Sequence, residues 1–427
     1  MTSLSIVIPV YRQPRCLDLT LTSLANQTLP PAECEVIVVD DGSEDDTASI
    51  VARHRDALPV RLIRQDLNRG RAAARNAGVA AATADRLMLI DADSYADPGL
   101  LRAHASFGRS FPGLVLLGAR AESTWLPLAG QPAPAASAST GYSRDIRFKF
   151  GLDSAAFAAS AVPWYFAFSH NMSLPAADFR ACGGFDENFT GWGYEDVEFA
   201  YRLYASAGRL AGYFQFEPLA VCHHLPHFRS ARSNWEQAER MLPYFVAKHR
   251  SLEVEFIDEG PLVVCDLLPA YLSRLSFLHQ ADRVSLEQAL ATLPPVTRPG
   301  RLVIGIGSAW PLAGAGLTDF IGHQPPAPGT APGLIGLRLP YPDDRFAEVV
   351  NLDLWRVLSP DHLSRLVTEG LRIARVVHLG YSAQAGPGAS DELITNPGYV
   401  SDMLSGHCEV RISEPAGGLL WLRAERR

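Results

Sequence analysis

Apolar segments that end in polar residues recur through the first hundred residues. A short apolar run of this kind predicts a buried strand of a parallel sheet, and four are present, at Leu4–Val10, Glu35–Asp40, Val60–Gln65 and Leu87–Asp91. Between them, leucines at i, i+4 and i+7 from Leu17 to Leu24 and an Ala-rich segment after Arg71 predict helices. Strands that alternate with helices at this spacing predict an α/β fold with a doubly wound, mostly parallel sheet.

Two of the predicted strands end in pairs of carboxylates. Asp40 and Asp41 follow one strand, and Asp91 and Asp93 follow another with Ala92 between them. Ligands bind at the carboxyl ends of strands in open α/β sheets, and alternation along a strand would aim Asp91 and Asp93 the same way. Two such carboxylates repel unless a cation lies beside them, which predicts a divalent metal that holds a diphosphate. A carboxylate of the first pair could accept the imide N–H of a uracil. Capping of the following helix is the alternative for both pairs.

Arg71 and Arg75 stand at the start of a predicted helix, where their charge opposes the helix dipole. This placement favours an anion as their partner, with a surface ion pair to Asp85 or Glu44 as the alternative. No Gly-x-Gly-x-x-Gly follows the first strand and no P-loop is present in the sequence. We therefore expect a metal on Asp93, rather than a Gly-rich turn, to hold phosphates.

A further candidate segment is Gly191-Trp-Gly-Tyr-Glu-Asp196, which opens an amphipathic helix. Its glycines would allow a tight turn and the close approach of a ligand, and Trp192 offers a flat apolar platform. Glu195 and Asp196 fall in the first helical turn, where the dipole favours anions. We interpret Asp196 as functional because of the neighbouring glycines and Trp192, and Glu198 as ordinary helix-end charge.

Three histidines, His223, His224 and His227, occur within five residues. A lone histidine is usually a core or surface residue. A cluster that follows two carboxylate sites favours metal ligands instead.

Composition narrows the function classes. The chain has 427 residues, 47% of them hydrophobic, and a net charge of −8, which argues against a nucleic-acid partner and against adhesion to anionic lipid by bulk charge. Its six cysteines are scattered without a Cys-x-x-Cys pair, which is typical of reduced thiols and not of a zinc site. We expect no signal peptide and no membrane span, and hence a cytoplasmic protein.

The chain is long enough for two or three domains. We predict a first domain over 1–250, a helical linker over 251–299 and a second α/β domain over 300–427. A Pro-, Ala- and Ser-rich segment at 125–145 is predicted to be a mobile loop beside the site, or an insertion.

Six motifs together resemble the family 2 glycosyltransferases of the GT-A fold. They are Ile6-Val-Ile-Pro-Val-Tyr11, Val38-Val-Asp-Asp-Gly-Ser43, Asn68-Arg-Gly with Arg75-Asn-Ala-Gly78, Ile90-Asp-Ala-Asp93, Gly183-Gly-Phe-Asp-Glu187 and Gly191-Trp-Gly-Tyr-Glu-Asp196. The last two look like the acceptor half of galactosyl-, N-acetylgalactosaminyl- and chondroitin-type transferases. The resemblance covers roughly residues 4–230, and its strength lies in the order of the motifs.

This resemblance implies an inverting transfer from a nucleotide-sugar donor, usually UDP-linked, to a glycan, natural product or peptide. It implies that Mn²⁺ or Mg²⁺ is the cofactor. The implied donor-binding residues are Pro9, Tyr11 and Asp41 at the base, Arg71, and Asp91 and Asp93 at the ribose and metal. The implied metal shell is completed by His224 or His227. Asp196 would be the general base. Glu195 is the rival candidate for that role and is otherwise expected to hydrogen-bond the acceptor, which Gly191 and Trp192 would also contact.

From Arg301 onward the chain resembles a class I S-adenosylmethionine-dependent methyltransferase, with large departures. The segment between Gly307 and Leu339 is rich in Pro and Gly where that family needs a strand, a helix and a ribose-binding acid, for which Asp319 is the nearby candidate. We interpret this unit as a degenerate Rossmann-like domain that serves acceptor binding or homodimer formation.

Two other function classes compete. A nucleotidyltransferase would want a Gly-rich, basic loop after the first strand, and Val10-Tyr-Arg-Gln-Pro14 lacks one. A non-catalytic sugar-nucleotide-binding scaffold would not need Asp93, Asp196 and His224, all of which are present.

Overall fold

The computed structural model describes residues 2–122, 145–227, 230–281, 283–296, 300–306, 317–323, 332–382, 393–413 and 418–427. Nearly all of the segment predicted as a mobile loop, residues 125–144, lies outside this description, as do Gly307 and Ser308. The chain divides into two compact units, Met1–Met241 and Leu242–Arg427. The predicted three-part division of the chain stays a prediction.

The first unit contains one sheet of eight strands within the described ranges. They are β1 (Leu4–Val10), β2 (Cys34–Asp40), β3 (Val60–Arg64), β4 (Arg86–Ile90), β5 (Ser94–Ala96), β6 (Val115–Glu122), β7 (Asn171–Pro175) and β8 (Phe214–His224). Their order is β3-β2-β1-β4-β7-β6-β8-β5. The four predicted strands, β1 to β4, are mutually parallel, whereas β7 pairs antiparallel with β4 and β6, and β5 pairs antiparallel with β8.

Helices cover both faces of the parallel part of this sheet. The α-helices described as far as residue 249 are α1 (Pro14–Ala25), α2 (Thr47–His54), α3 (Arg71–Ala81), α4 (Leu100–Ser110), α5 (Ile146–Lys149), α6 (Ser154–Ala158), α7 (Ala176–Ala181), α8 (Glu195–Ser206) and α9 (Ala231–His249), the last of which continues past the end of the first unit at Met241. Ile6 and Ile8 share one buried cluster with Leu21 of α1, while Val39 packs in another with Ala74 of α3. Apolar contacts on opposite faces confirm the doubly wound arrangement.

The end of β8 is placed by a buried side chain of β7. β6 and β8 run parallel, but their register shifts between Gly118 and Ala119. The Asn171 amide donates hydrogen bonds to the carbonyls of Ala119 and Ala220 at this irregularity, and its oxygen lies 2.9 Å from Nε2 of His104. Beyond the shift the strands are again in register, up to the pair formed by Glu122 and His224.

The second unit holds a six-stranded mixed sheet in its described part. The strands are β9 (Arg301–Ile306), β10 (Leu317–His323), β11 (Phe346–Leu352), β12 (Ala374–Ser382), β13 (Glu409–Ile412) and β14 (Leu419–Glu425), in the order β10-β9-β11-β12-β14-β13. The first four are parallel, and β14 is antiparallel to both of its neighbours. The helices are α10 (Leu252–Glu255), α11 (Pro261–Gln280), α12 (Leu286–Ala291), α13 (Pro360–Ile373) and α14 (Pro397–Leu404). The α/β character predicted for the C-terminal part is therefore present.

Asp319 does not occupy a ribose-binding position. It lies near the start of β10, whereas ligands of open parallel sheets bind at the carboxyl ends of the strands. Its Oδ2 atom accepts a hydrogen bond of 2.6 Å from the Tyr341 hydroxyl. The methyltransferase-like nature of this unit stays a prediction.

No helix in the described ranges is long and apolar enough to cross a bilayer.

Candidate active site

A buried arginine connects two of the predicted site motifs. Arg75 of α3 is 2% exposed, and its guanidinium lies 2.9 Å from Oδ1 of Asp91 and 3.4 Å from Oε1 of Glu195. The ring of Phe185 is 5.2 Å from the guanidinium carbon. Burial opposes the charged form of Asp91, but Arg75 and Arg71 outweigh it and hold the pKa of Asp91 well below its usual range. Arg71, which is half-exposed, lies 3.8 Å from the same Glu195 oxygen.

The adjacent carboxylates Glu195 and Asp196 have different surroundings. Glu195 is 4% exposed, faces Arg75, and accepts a hydrogen bond of 3.2 Å from the Gly193 N–H. Asp196 is half-buried and accepts hydrogen bonds from the N–H groups of Ser169, at 3.3 Å, and Val197, at 3.0 Å. Burial, and then the charge of Glu195, raise the pKa of Asp196 to about 7. Asp196 can therefore exchange a proton near neutral pH, while Glu195 is held in an ion pair.

The Gly-Trp-Gly turn fits tightly against α9. Gly193 has φ +102°, and a Cβ atom there would come within 3.0 Å of the Ala238 side chain. The Trp192 N–H donates a hydrogen bond of 2.8 Å to Oε1 of Gln237, and a Cβ atom on Gly191 would lie 3.3 Å from the same oxygen. Tyr194 follows with φ +68°, in the left-handed region. Gly193 is thus required by its backbone conformation and by the closeness of α9, whereas Gly191 is closely approached by the Gln237 side chain. Trp192, between them, is half-exposed.

Asp93, His224 and His227 converge as predicted, and their ligand atoms lie within 4.8 Å of one another. Oδ2 of Asp93 is 3.5 Å from Nε2 of His224 and 3.3 Å from Nδ1 of His227. The other oxygen of Asp93, Oδ1, is buried and has no hydrogen-bond partner among the residues that the structure describes. One carboxylate with an unsatisfied oxygen beside two imidazoles fits a divalent cation.

Asp91 and Asp93 do not share a partner, in contrast to the expectation that alternation would aim them together. β4 ends at Ile90, and residues 91–93, with a turn at 92–93, connect it to β5, which begins at Ser94. Strand alternation therefore no longer applies. Asp91 faces Arg75, and Asp93 faces the histidines.

The third histidine of the cluster points elsewhere. His223 and His224 are successive residues of β8, so their side chains leave opposite faces of the strand. His223 Nε2 lies 2.8 Å from Oδ1 of Asp97, and His224 Nδ1 lies 2.8 Å from Oε2 of Glu122. Burial lowers the pKa of His224, but the neighbouring carboxylates of Asp93 and Glu122 outweigh this and raise it.

The residues predicted around the nucleotide base lie at the ends of β1 and β2. Pro9 is half-buried in β1, and Tyr11 follows with 38% of its surface exposed. Asp41 accepts hydrogen bonds from the N–H groups of Arg69, at 2.7 Å, and Gly70, at 2.9 Å, and so fixes the turn that leads into α3. Burial raises the pKa of Asp41.

Helix capping does not explain the first carboxylate pair. The residue before α2 is Asp46, so neither member of the pair caps that helix. Asp40 instead accepts a hydrogen bond of 2.8 Å from the Ser43 N–H.

Sequence reasoning did not identify Glu122, Ser169, His170 or Gln237. His170 is buried with an Nε2 atom that has no hydrogen-bond partner in the described part of the chain, and burial, followed by Arg120 and Arg147, lowers its pKa well below the ordinary value. Glu122, Ser169 and Gln237 meet their partners across separations of 102, 27 and 45 residues, respectively. The sequence could have indicated the strand that carries Glu122, because the apolar run from Val115 to Leu117 marks the start of β6.

Residues 5–124 match the family described as glycosyl transferase family 2, and residues 158–227 match the N-terminal domain of galactosyltransferase. Validoxylamine A glucosyltransferase from Streptomyces hygroscopicus subsp. jinggangensis is 31% identical over 394 residues, which are 81% of this chain and 89% of that protein. The chain belongs to the family 2 glycosyltransferases. It is therefore an enzyme, and its first unit has the predicted GT-A fold.

Other relatives of this glycosyltransferase match over shorter parts. Validoxylamine A glucosyltransferase from S. hygroscopicus subsp. limoneus is 34% identical over 58% of this chain and 57% of that protein. Chondroitin synthase from Escherichia coli is 28% identical over 63% of this chain and 42% of that protein. Among solved structures, S. aureus TarS 1-349 superposes with a TM-score of 0.44 at 20% identity, over 68% of this chain and 77% of that one.

Proposed function

We propose that this glycosyltransferase transfers a hexose from a UDP-linked or similar nucleotide-sugar donor to a hydroxyl group of a small polyhydroxylated acceptor, with inversion and with Asp196 as the general base. The observation that carries the proposal is the contrast between Asp196 and its neighbours. Asp91 and Glu195 form ion pairs with Arg75, whereas Asp196 is half-buried, accepts hydrogen bonds from backbone N–H groups and has a pKa raised to about 7. A base with a pKa near the working pH is the most effective one.

In the proposed reaction the acceptor oxygen attacks the anomeric carbon while Asp196 takes its proton. A new carbon–oxygen bond forms, the bond from the anomeric carbon to the diphosphate breaks, and the nucleoside diphosphate leaves with that electron pair. Trp192, held by Gln237 at 2.8 Å and half-exposed, is suited to stack on an acceptor sugar ring. Arg71, half-exposed, is suited to face the departing diphosphate.

Asp93, His224 and His227 are the residues that would hold Mn²⁺ or Mg²⁺, because they converge and the Oδ1 atom of Asp93 lacks a partner in the described ranges. Such an ion, when bound, neutralises negative charge on the diphosphate. The role of the protein is to place one carboxylate and two imidazoles beside the leaving group, on residues fixed by β5 and β8.

The acceptor class is inferred from the extent of the similarity. The validoxylamine A glucosyltransferase of subsp. jinggangensis aligns over 81% of the chain and so reaches into both compact units, whereas the chain spans 42% of chondroitin synthase. This favours glucose as the transferred sugar and an aminocyclitol such as validoxylamine A as the acceptor. A glycan or peptide acceptor would be the competing outcome.

The proposal is tested by incubating the 427-residue chain with Mn²⁺, validoxylamine A and each of a panel of UDP-, GDP- and dTDP-hexoses. The products are measured by mass spectrometry. We expect a gain of one hexose from one donor, at a rate that falls by about two to four orders of magnitude in the Asp196→Asn variant. Transfer to an unrelated glycan with no reaction on validoxylamine A would refute the acceptor assignment. No transfer from any donor to any acceptor tested would refute the proposed reaction.

A further inference from the structure

The topology places His224 between two carboxylates from neighbouring strands. β8 lies between β6 and β5, and His224 is in register with Glu122, the last residue of β6, and with Ser94, the first residue of β5. Asp93 directly precedes that serine. One imidazole nitrogen therefore meets a carboxylate from β6, and the other meets the carboxylate in front of β5.

The two contacts differ in geometry. Nδ1 of His224 lies 2.8 Å from Oε2 of Glu122, which is a hydrogen bond, while Nε2 lies 3.5 Å from Oδ2 of Asp93. The other Glu122 oxygen, Oε1, accepts a hydrogen bond of 2.6 Å from Arg120 Nη2. Both oxygens of Glu122 are thus engaged, which holds the carboxylate against the imidazole.

This geometry determines the tautomer of a neutral His224. An ionised carboxylate can only accept, so the proton of a neutral imidazole must lie on Nδ1. The lone pair of Nε2 then points toward Asp93, where lone pair and carboxylate would repel unless a cation lay between them. The hydrogen bond at one end of the ring thereby prepares the other end for a metal.

We propose that Glu122 is a positioning residue, which fixes the Nδ1–H tautomer and the ring orientation of His224 so that Nε2 serves as a metal ligand. This inference rests on the metal site in the proposed function. Removal of a carboxylate that orients a metal-binding histidine in this way typically weakens metal binding by roughly 10- to 100-fold. Glu122 touches neither the sugar nor the reacting atoms in this scheme and acts through His224.

The neighbouring pair of His223 and Asp97 provides a matched control. It has the same 2.8 Å contact between an imidazole nitrogen and a carboxylate, on the opposite face of the same strand. Asp97→Asn should therefore disturb a similar hydrogen bond without affecting the metal ligands.

The test is titration of the full chain with Mn²⁺ alone and with Mn²⁺ plus UDP, with free Mn²⁺ followed by electron paramagnetic resonance. Glu122→Ala should raise the dissociation constant roughly 10- to 100-fold. Glu122→Gln should raise it less because its amide oxygen still accepts from Nδ1–H. Asp97→Asn should leave it unchanged. Nitrogen-15 spectra at pH 8 should show His224 as the Nδ1–H tautomer in the parent and a mixture in Glu122→Ala.

Two failures can be told apart. If His224→Ala and Asp93→Asn weaken Mn²⁺ binding while Glu122→Ala and Glu122→Gln leave both the affinity and the tautomer unchanged, the positioning role is refuted. If His224→Ala and Asp93→Asn bind Mn²⁺ as the parent does, the metal site itself is wrong and the positioning role falls with it. Should Glu122→Ala fail to fold by circular dichroism, the affinity of Glu122→Gln decides, and an Mn²⁺ affinity equal to that of the parent would refute the positioning role.

Discussion

The pH dependence of sugar transfer is the prediction that follows most directly from the surroundings of Asp196. Burial and the charge of Glu195 raise its pKa to about 7, so the carboxyl becomes protonated as the pH falls below that value. A protonated carboxyl cannot take the acceptor proton. We therefore expect kcat/KM to be constant above pH 8 and to fall on the acid side.

The magnitude follows from the titration. At pH 5, two units below the midpoint, only about one Asp196 in a hundred is ionised, so kcat/KM should be roughly 100-fold below its plateau. The midpoint should move in opposite directions in two variants. Glu195→Gln removes the like charge and should lower it, whereas Arg75→Met removes a nearby cation and should raise it.

The assay is the initial rate of product formation at subsaturating donor and acceptor from pH 5 to 9, with saturating Mn²⁺ at every pH. If protonation of His224 caused the loss of kcat/KM at acid pH, that loss would depend on the Mn²⁺ concentration and its midpoint would not shift in Glu195→Gln. The assignment of the acid-side loss to Asp196 would be refuted by a kcat/KM that stays constant down to pH 5. It would also be refuted by a midpoint that is the same in the parent and both variants.

Three further predictions concern metal, stability and the C-terminal unit. A chelator should abolish turnover and Asp93→Asn should weaken UDP binding only when Mn²⁺ is present; full activity in excess chelator would contradict this. Arg75→Met should lower the free energy of unfolding by about 3–5 kcal/mol in urea denaturation, because it strands Glu195 in the interior. The matched change Arg71→Met, on the exposed side of the same carboxylate, should cost less than about 1 kcal/mol. S-adenosylmethionine should show no binding at micromolar concentration by calorimetry, and tight binding would make the protein bifunctional.

Much of the sheet was predictable because its pattern is local. The apolar runs that predict β1 to β4 need only a window of a few residues, and all four strands form within two residues of the predicted bounds. β8, in contrast, extends beyond Glu217 to include His223 and His224. That extension depends on the register shift opposite Gly118 and on the Asn171 amide, which no local window contains.

The site was predictable in its residue types but not in its pairings. The convergence of Asp93 with His224 and His227 followed from the cluster and the family resemblance. The separation of Asp91 from Asp93 depends on where β4 ends, and the ion pair of Arg75 with Glu195 joins residues 120 positions apart. The sequence did not predict that Glu195 faces Arg75, and its expected contact with the acceptor stays a prediction.

The most direct test of the central claim is the rate of sugar transfer in a single turnover for Asp196→Asn and Glu195→Gln, measured beside their affinities for UDP and Mn²⁺. We expect Asp196→Asn to lose about two to four orders of magnitude in rate while it binds UDP and Mn²⁺ nearly as the parent does. Glu195→Gln should lose less. A near-normal rate in Asp196→Asn together with a large loss in Glu195→Gln would contradict the account and make Glu195 the base.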